Sequence, residues 1–196
     1  SHLETLGHSF DPRWSGCCTH CHDNHEDTHS EEHEPVIAFD KQLRPTKELL
    51  DTVEEIARNK CILATGHLSA KEIKKLVPLA LDMGVSRILL THPHYPSVAL
   101  SDKDLKQLTA YPEVFVEHCF AIHTIEDVPL EQFAQAICAT GPEQVLLSTD
   151  FGQIFSAPFP DGTLRYAEAL WQQLEKFISW EDFVAMFSHN GRRALN

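Results

Sequence analysis

Three short apolar runs in this sequence stop at side chains that can hold a divalent metal. Cys61-Ile62-Leu63-Ala64-Thr65-Gly66 leads to His67, Arg87-Ile88-Leu89-Leu90-Thr91 to His92, and Val145-Leu146-Leu147-Ser148-Thr149 to Asp150. Two neutral imidazoles and a carboxylate suit zinc, manganese or iron, as one ion or two. A bound ion of this kind lowers the pKa of its water to about 7 and polarises a carbonyl or phosphoryl oxygen. Asp150 is the candidate catalytic residue: it can ligate the metal, take the proton of the water, or do both. His94 follows His92 by two, but Pro93 interrupts the run, so His94 is expected in a loop beside the substrate. Glu117 and His118 are neighbours in a further apolar run, Val114 to Phe120. Side chains alternate along a strand, so at most one of them faces the site and the other is buried toward helices.

A second group of donors lies near the start. Residues 1–34 hold seven of the 13 histidines and three of the six cysteines. Cys18, His20, Cys21, His22 and His25 offer thiolates and imidazoles at short range, a candidate second metal site without the regular spacing of a zinc finger. No helical or strand period runs through this head, and a polar mobile loop fits it equally well. Cys61, Cys119 and Cys138 stand alone in apolar contexts, where a buried free thiol is expected.

The elements that must position these side chains read as alternating strands and helices. Runs rich in Ile, Leu and Val, bounded by turn residues, suit strands buried on both faces. They begin near 36, 61, 87, 115 and 145, a spacing of about 25 to 30 residues that matches a β/α repeat. Val36 to Phe39 is the first, ending at Asp40. Helices are predicted from Thr46 to about Asn59, from a capping box at Ser69-Ala70-Lys71-Glu72 to Gly84, from Ser101 through Leu108, from Pro129 to Gly141, from Thr163 to Ile178, and from Trp180 to Phe187. Pro78 is expected to kink or break the second of these. Such strands are parallel and bring their C-terminal ends to one edge, where ligands bind in α/β folds. Five strands make either a partial barrel or a smaller open sheet, in a single domain of residues 35–196 behind the head.

With 29 acidic and 16 basic residues the formal charge is -13, a surface that repels phosphate backbones, so no nucleic-acid partner is expected. No apolar run approaches the roughly 18 residues of a membrane helix. No basic-then-apolar leader opens the sequence, and its cysteine usage suits a reducing compartment, so a cytoplasmic protein is expected.

Thr65-Gly66-His67-Leu68-Ser69, Thr91-His92-Pro93-His94, Ser148-Thr149-Asp150-Phe151-Gly152-Gln153 and the ending Ser188-His189-Asn190-Gly191-Arg192-Arg193-Ala194-Leu195 resemble the later strands of the amidohydrolase superfamily, in an uncharacterised branch. The resemblance covers about residues 35–196. It implies a TIM-barrel-like α/β fold and a metal-dependent hydrolase acting on an amide, lactone or related carbonyl through metal-activated water. It further implies that His67, His92 and Asp150, from the fifth, sixth and eighth strands, hold or serve a zinc-like metal, with Glu117 and His118 on the seventh. The family's first-strand His-x-His pair has no counterpart in an apolar run, since His20-Cys21-His22 has the spacing alone. For the family's fourth-strand carboxylate only Asp40 offers itself. The competing class is a non-catalytic metal-binding or partner-binding protein on a degenerate or truncated barrel. Sheet edges and apolar barrel interior left open would favour a homo-oligomer or a partner chain that completes the barrel.

Overall fold

A computed structural model describes residues 37–152 and 161–195. The candidate head donors Cys18, His20, Cys21, His22 and His25 lie outside the described residues. The chain divides into two compact units, residues 1–50 and 51–196.

In the second unit the apolar runs form four parallel strands: β1 Leu63–Ala64, β2 Ile88–Thr91, β3 Val114–Cys119 and β4 Val145–Ser148. Their spatial order is their chain order, β1-β2-β3-β4. Doubly wound sheets reverse order at a switch point, whereas barrel walls do not. The helices are α1 Lys47–Arg58, α2 Ala70–Asp82, α3 Asp102–Leu108, α4 Phe120–Glu126, α5 Leu130–Thr140, α6 Asp161–Leu174, α7 Trp180–Phe187 and α8 His189–Leu195. Contacts of α2 with α3, α3 with α5 and α5 with α6 repeat the strand order in the outer layer.

Strand alternation separates two environments. Ile88, Leu90, Val114, Val116, His118, Val145 and Leu147 are buried toward the helices, where His118 meets Phe133 of α5. On the other face Leu89, Thr91, Glu117, Leu146 and Ser148 are half-buried, while Phe115 and Cys119 are buried. Register holds each face together, with Leu90 opposite Val116 and Thr91 opposite Glu117. Each Leu, Ile, Val or Phe fully buried on the helix side contributes about 1.5–3 kcal/mol.

Several expectations need correction. Of the run at 36–39, the described residues 37–39 form no fifth strand. Phe39 makes one antiparallel bridge to Pro45, and the Thr46 amide returns to the Ala38 carbonyl at 3.0 Å. The cause is Asp40, whose carboxylate accepts from the Gln42 and Arg44 amides at 2.8 and 2.9 Å and closes a local turn. That carboxylate is also engaged by the Arg44 guanidinium at 2.6 Å. Pro78 does not break α2, which runs unbroken from Ala70 to Asp82. The capping box supports its start: the Glu72 carboxylate accepts from the Ser69 amide and hydroxyl at 2.9 and 2.7 Å. Cys61 and Cys138 are exposed, and only Cys119 is a buried thiol among the described residues. Helix α6 begins at Asp161 and ends at Leu174, short of Ile178. Helices α4 and α8 went unpredicted because neither has room for two turns of a legible apolar period.

Helix α8 fastens the end of the sheet opposite the candidate ligands. The buried Asn190 amide donates to the carbonyls of Pro142 and Val145, both at 2.8 Å. Arg193 donates to the Glu143 carbonyl at 3.0 Å, and Arg87 reaches the Arg193 carbonyl at 3.3 Å. The Ser188–Leu195 motif therefore anchors the entry to β4 and fixes where that strand delivers Asp150.

Candidate metal centre

Gly66, His92 and Asp150 all adopt left-handed backbone conformations, with φ of 54°, 49° and 51°. Glycine does this at no steric cost, whereas His92 and Asp150 each bear strain of order 1 kcal/mol or more. The three kinks turn the chain off the strand ends, and neighbouring ends are tied together. The Thr91 amide donates to the Thr65 hydroxyl at 3.1 Å, and the Ala121 amide to the Thr149 carbonyl at 3.2 Å. After His92, the Tyr95 amide closes on the His92 carbonyl at 2.8 Å, and the Leu100 amide on the Pro93 carbonyl at 2.9 Å. Beyond Asp150, the Phe151 ring lies where a side chain at Gly162 would have to go, so the glycine at the start of α6 admits the segment that carries Asp150.

His67, His92 and Asp150 come together. The His92 Nε2 atom is 3.6 Å from Asp150 Oδ2, too far for a hydrogen bond but close to the separation of about 3.5 Å between two ligands of one tetrahedral ion. The rings of His67 and His92 lie 5.4 Å apart, centre to centre, and Tyr95 stacks on His67 at 4.8 Å. Burial, the nearby His92 and, in opposition, Asp150 leave His67 with a pKa of about 4; burial alone lowers that of His92. Both imidazoles are neutral at neutral pH and keep a lone pair for a metal.

A tighter group shares His92. One ligand atom each from His92, Glu117 and Cys119 lie within 4.8 Å of one another. Glu117 and Cys119 are two apart on β3 and share the face turned away from the helices. Burial raises the Glu117 pKa, a hydrogen bond from Ser148 opposes this, and Asp150 reinforces it. The Cys119 sulfur lies 2.8 Å from the Ser148 hydroxyl. The sequence reading passed over Cys119 as an inert thiol; the Glu-x-Cys spacing on one strand was the signal that could have found it.

His118 and His94 lie elsewhere. They stack on each other at 5.2 Å on the helix side, each against Phe133, and His94 Nδ1 meets the Gln132 amide nitrogen at 3.2 Å. Of the adjacent pair on β3, Glu117 faces the cluster and His118 the helices.

The donor set fits a divalent metal. Neutral imidazole, carboxylate and sulfur converge at one strand-end edge, and the buried Nδ1 of His92 makes no hydrogen bond. A buried polar nitrogen without a partner is costly unless something binds it.

Comparison with solved structures gives the fold class. Two crystal structures of an amidohydrolase from Burkholderia multivorans, one with bound HEPES and one with bound zinc, each match at a TM-score of 0.55 and 15% identity, over 76% of this chain. The fold of this chain is similar to part of that protein's, and the match spans 57% of that protein's length. It belongs to a family of unknown function, DUF6282, whose sequence profile matches residues 12–117. No curated protein matches it. Among the described residues, no helix is long and apolar enough to cross a membrane.

Proposed function

We propose that this protein is a metal-dependent hydrolase of the amidohydrolase type, acting on an amide, lactone or related carbonyl substrate. The observation that carries the reading is the convergence of His67, His92 and Asp150 at the C-terminal ends of three parallel strands. His67, His92 and Asp150 would hold the metal, with Glu117 beside them. When bound, a divalent ion of the zinc class supplies a water acidified toward neutrality and an electrophile for the substrate oxygen. Asp150, with its side chain 39% exposed beside His92, can take a proton from a water at the strand-end edge and return it to a leaving group. In the metal-free site burial lets Glu117 hold a proton nearer neutrality than an ordinary glutamate. Tyr95 holds the His67 ring by stacking, and the kink at His92 fixes its imidazole across the edge. His94 and His118 are given no part in the chemistry, because they pack on the helix side.

A second reading is a non-catalytic metal-binding or partner-binding protein. The half-open face of β3 and β4 favours it, and so does the span of 57% of the amidohydrolase chain. In either reading a second copy, or a chain carrying further barrel strands, would cover the outer edges of β1 and β4. The test is metal analysis and sedimentation of untagged protein, followed by a panel of lactones, amides and phosphoesters. Turnover lost to a chelator and restored by zinc or manganese is the expected result. Bound metal without turnover of any substrate would leave the binding role standing.

A further inference from the structure

We propose that Cys119 is a metal ligand that joins His92 and Glu117 in a cradle of nitrogen, oxygen and sulfur donors selective for thiophilic divalent cations such as zinc. The inference rests on the metal-centre reading above and extends it, because no thiolate belongs to the set His67, His92 and Asp150. An ordinary structural cysteine is buried among apolar groups. Cys119 is only 1% exposed, yet its sulfur meets a hydroxyl, that of Ser148, and stands in the same group as a carboxylate and an imidazole. His92 supplies an independent observation, since its Nδ1 is buried without a hydrogen-bond partner.

The topology makes the cradle from two adjacent strands. Register places Thr91 opposite Glu117, so His92 continues from the end of β2 beside the last residues of β3. Alternation then sends Glu117 and Cys119 to one face and His118 to the other. The present span of 4.8 Å exceeds the ligand separation of about 3.5 Å around a tetrahedral ion, so side-chain rotations of about 1 Å must accompany binding. Charge also balances. Neutral His92, ionised Glu117 and a Cys119 thiolate offset a dication, which keeps the desolvation cost of a buried site low. On binding, the sulfur–hydrogen bond of Cys119 breaks, its electron pair goes to the metal, and the proton leaves to solvent. The Ser148 hydroxyl lies within hydrogen-bond reach of the resulting sulfur ligand. A sulfur donor disfavours magnesium, calcium and manganese relative to zinc or cobalt.

Cobalt(II) loading of the full chain tests this, because thiolate ligation gives an intense near-ultraviolet charge-transfer band that imidazole and carboxylate ligation do not. The head cysteines could give the same band, so two variants are compared with the parent: Cys119→Ser, and the triple replacement of Cys17, Cys18 and Cys21 by Ser. The expected result is a band that survives in the triple variant and is lost in Cys119→Ser, with circular dichroism unchanged. A band that disappears with the head cysteines would overturn the proposal. Cobalt bound to the triple variant without a charge-transfer band would also overturn it, while leaving the metal-centre reading intact. No cobalt bound to the triple variant at all would sink both.

Discussion

Replacing His92 with asparagine is expected to abolish stable metal binding at the strand-end edge, lowering affinity there by at least about 100-fold, more than is typical for loss of an outer-shell partner. His92 is the one residue common to both donor groups, so its loss disables either arrangement. Asparagine is the substitution of choice because position 92 has φ 49°, a conformation in which Asn is among the better-tolerated residues. Alanine would confound ligand loss with backbone strain. The metal-free variant should therefore melt within a few degrees of the metal-free parent. Isothermal titration with zinc, on protein with Cys17, Cys18 and Cys21 replaced by serine, measures the affinity and calorimetry the melting point. Unchanged zinc affinity in a folded His92→Asn protein would remove the metal centre from this edge of the sheet.

Acid should destabilise the chelated protein steeply through its buried histidines. Burial sets the His94 pKa at about 4 and lowers that of His118 well below its usual 6.5, with the neighbouring His94 adding to the effect. Both are neutral when folded and gain protons when unfolded. Below about pH 6.5 the unfolded state binds more protons, so stability present above that pH is lost as pH falls toward 4. Each such histidine contributes a slope of up to ~1.4 kcal/mol per pH unit. His67 and His92 act in the same sense. Glu117, raised by burial, acts oppositely just above its usual 4.5. His118→Phe tests the main contributor. Neither ring nitrogen of His118 has a hydrogen-bond partner, and phenylalanine keeps the packing against His94 and Phe133. Urea unfolding between pH 7.5 and 5 should show a shallower acid loss in the variant, with a change of less than about 1.5 kcal/mol at pH 7.5. Equal slopes in the two proteins would place the acid sensitivity elsewhere.

Much of this architecture was legible in the sequence, for identifiable reasons. Strands β1, β2 and β4 announce themselves as apolar runs stopped by His67, His92 and Asp150, and β3 as the run Val114 to Phe120, because a sheet covered by helices demands continuous hydrophobicity. Helix α2 was legible because Ser69 and Glu72 encode its start chemically. The run before Asp40 misled because a local turn, set by that aspartate and Pro45, competed with pairing. The left-handed kinks at His92 and Asp150 could not be read, since only Gly66 among the three carries a residue type that advertises one. Cys119 was passed over because its significance depends on the register of β3 against β2 and β4, and register is a tertiary property. His94 was expected in a loop beside the substrate, but the turn after His92 carries it to the helix side, against His118 and Phe133.

The consecutive strand order has a consequence for the order of folding. His92, Glu117 and Cys119 all belong to one βαβ unit, β2–α3–β3, whose ends close over a short stretch of chain. Closing such a loop costs little more entropy than forming the unit itself. A metal that binds these three donors can therefore stabilise the unit before β1 and β4 have docked on either side. Its binding energy would then enter the folding transition state, and zinc would accelerate folding as well as slow unfolding. Held by Asp150 and His67 instead, the ion would have to wait for the outer strands and would act on the unfolding rate alone.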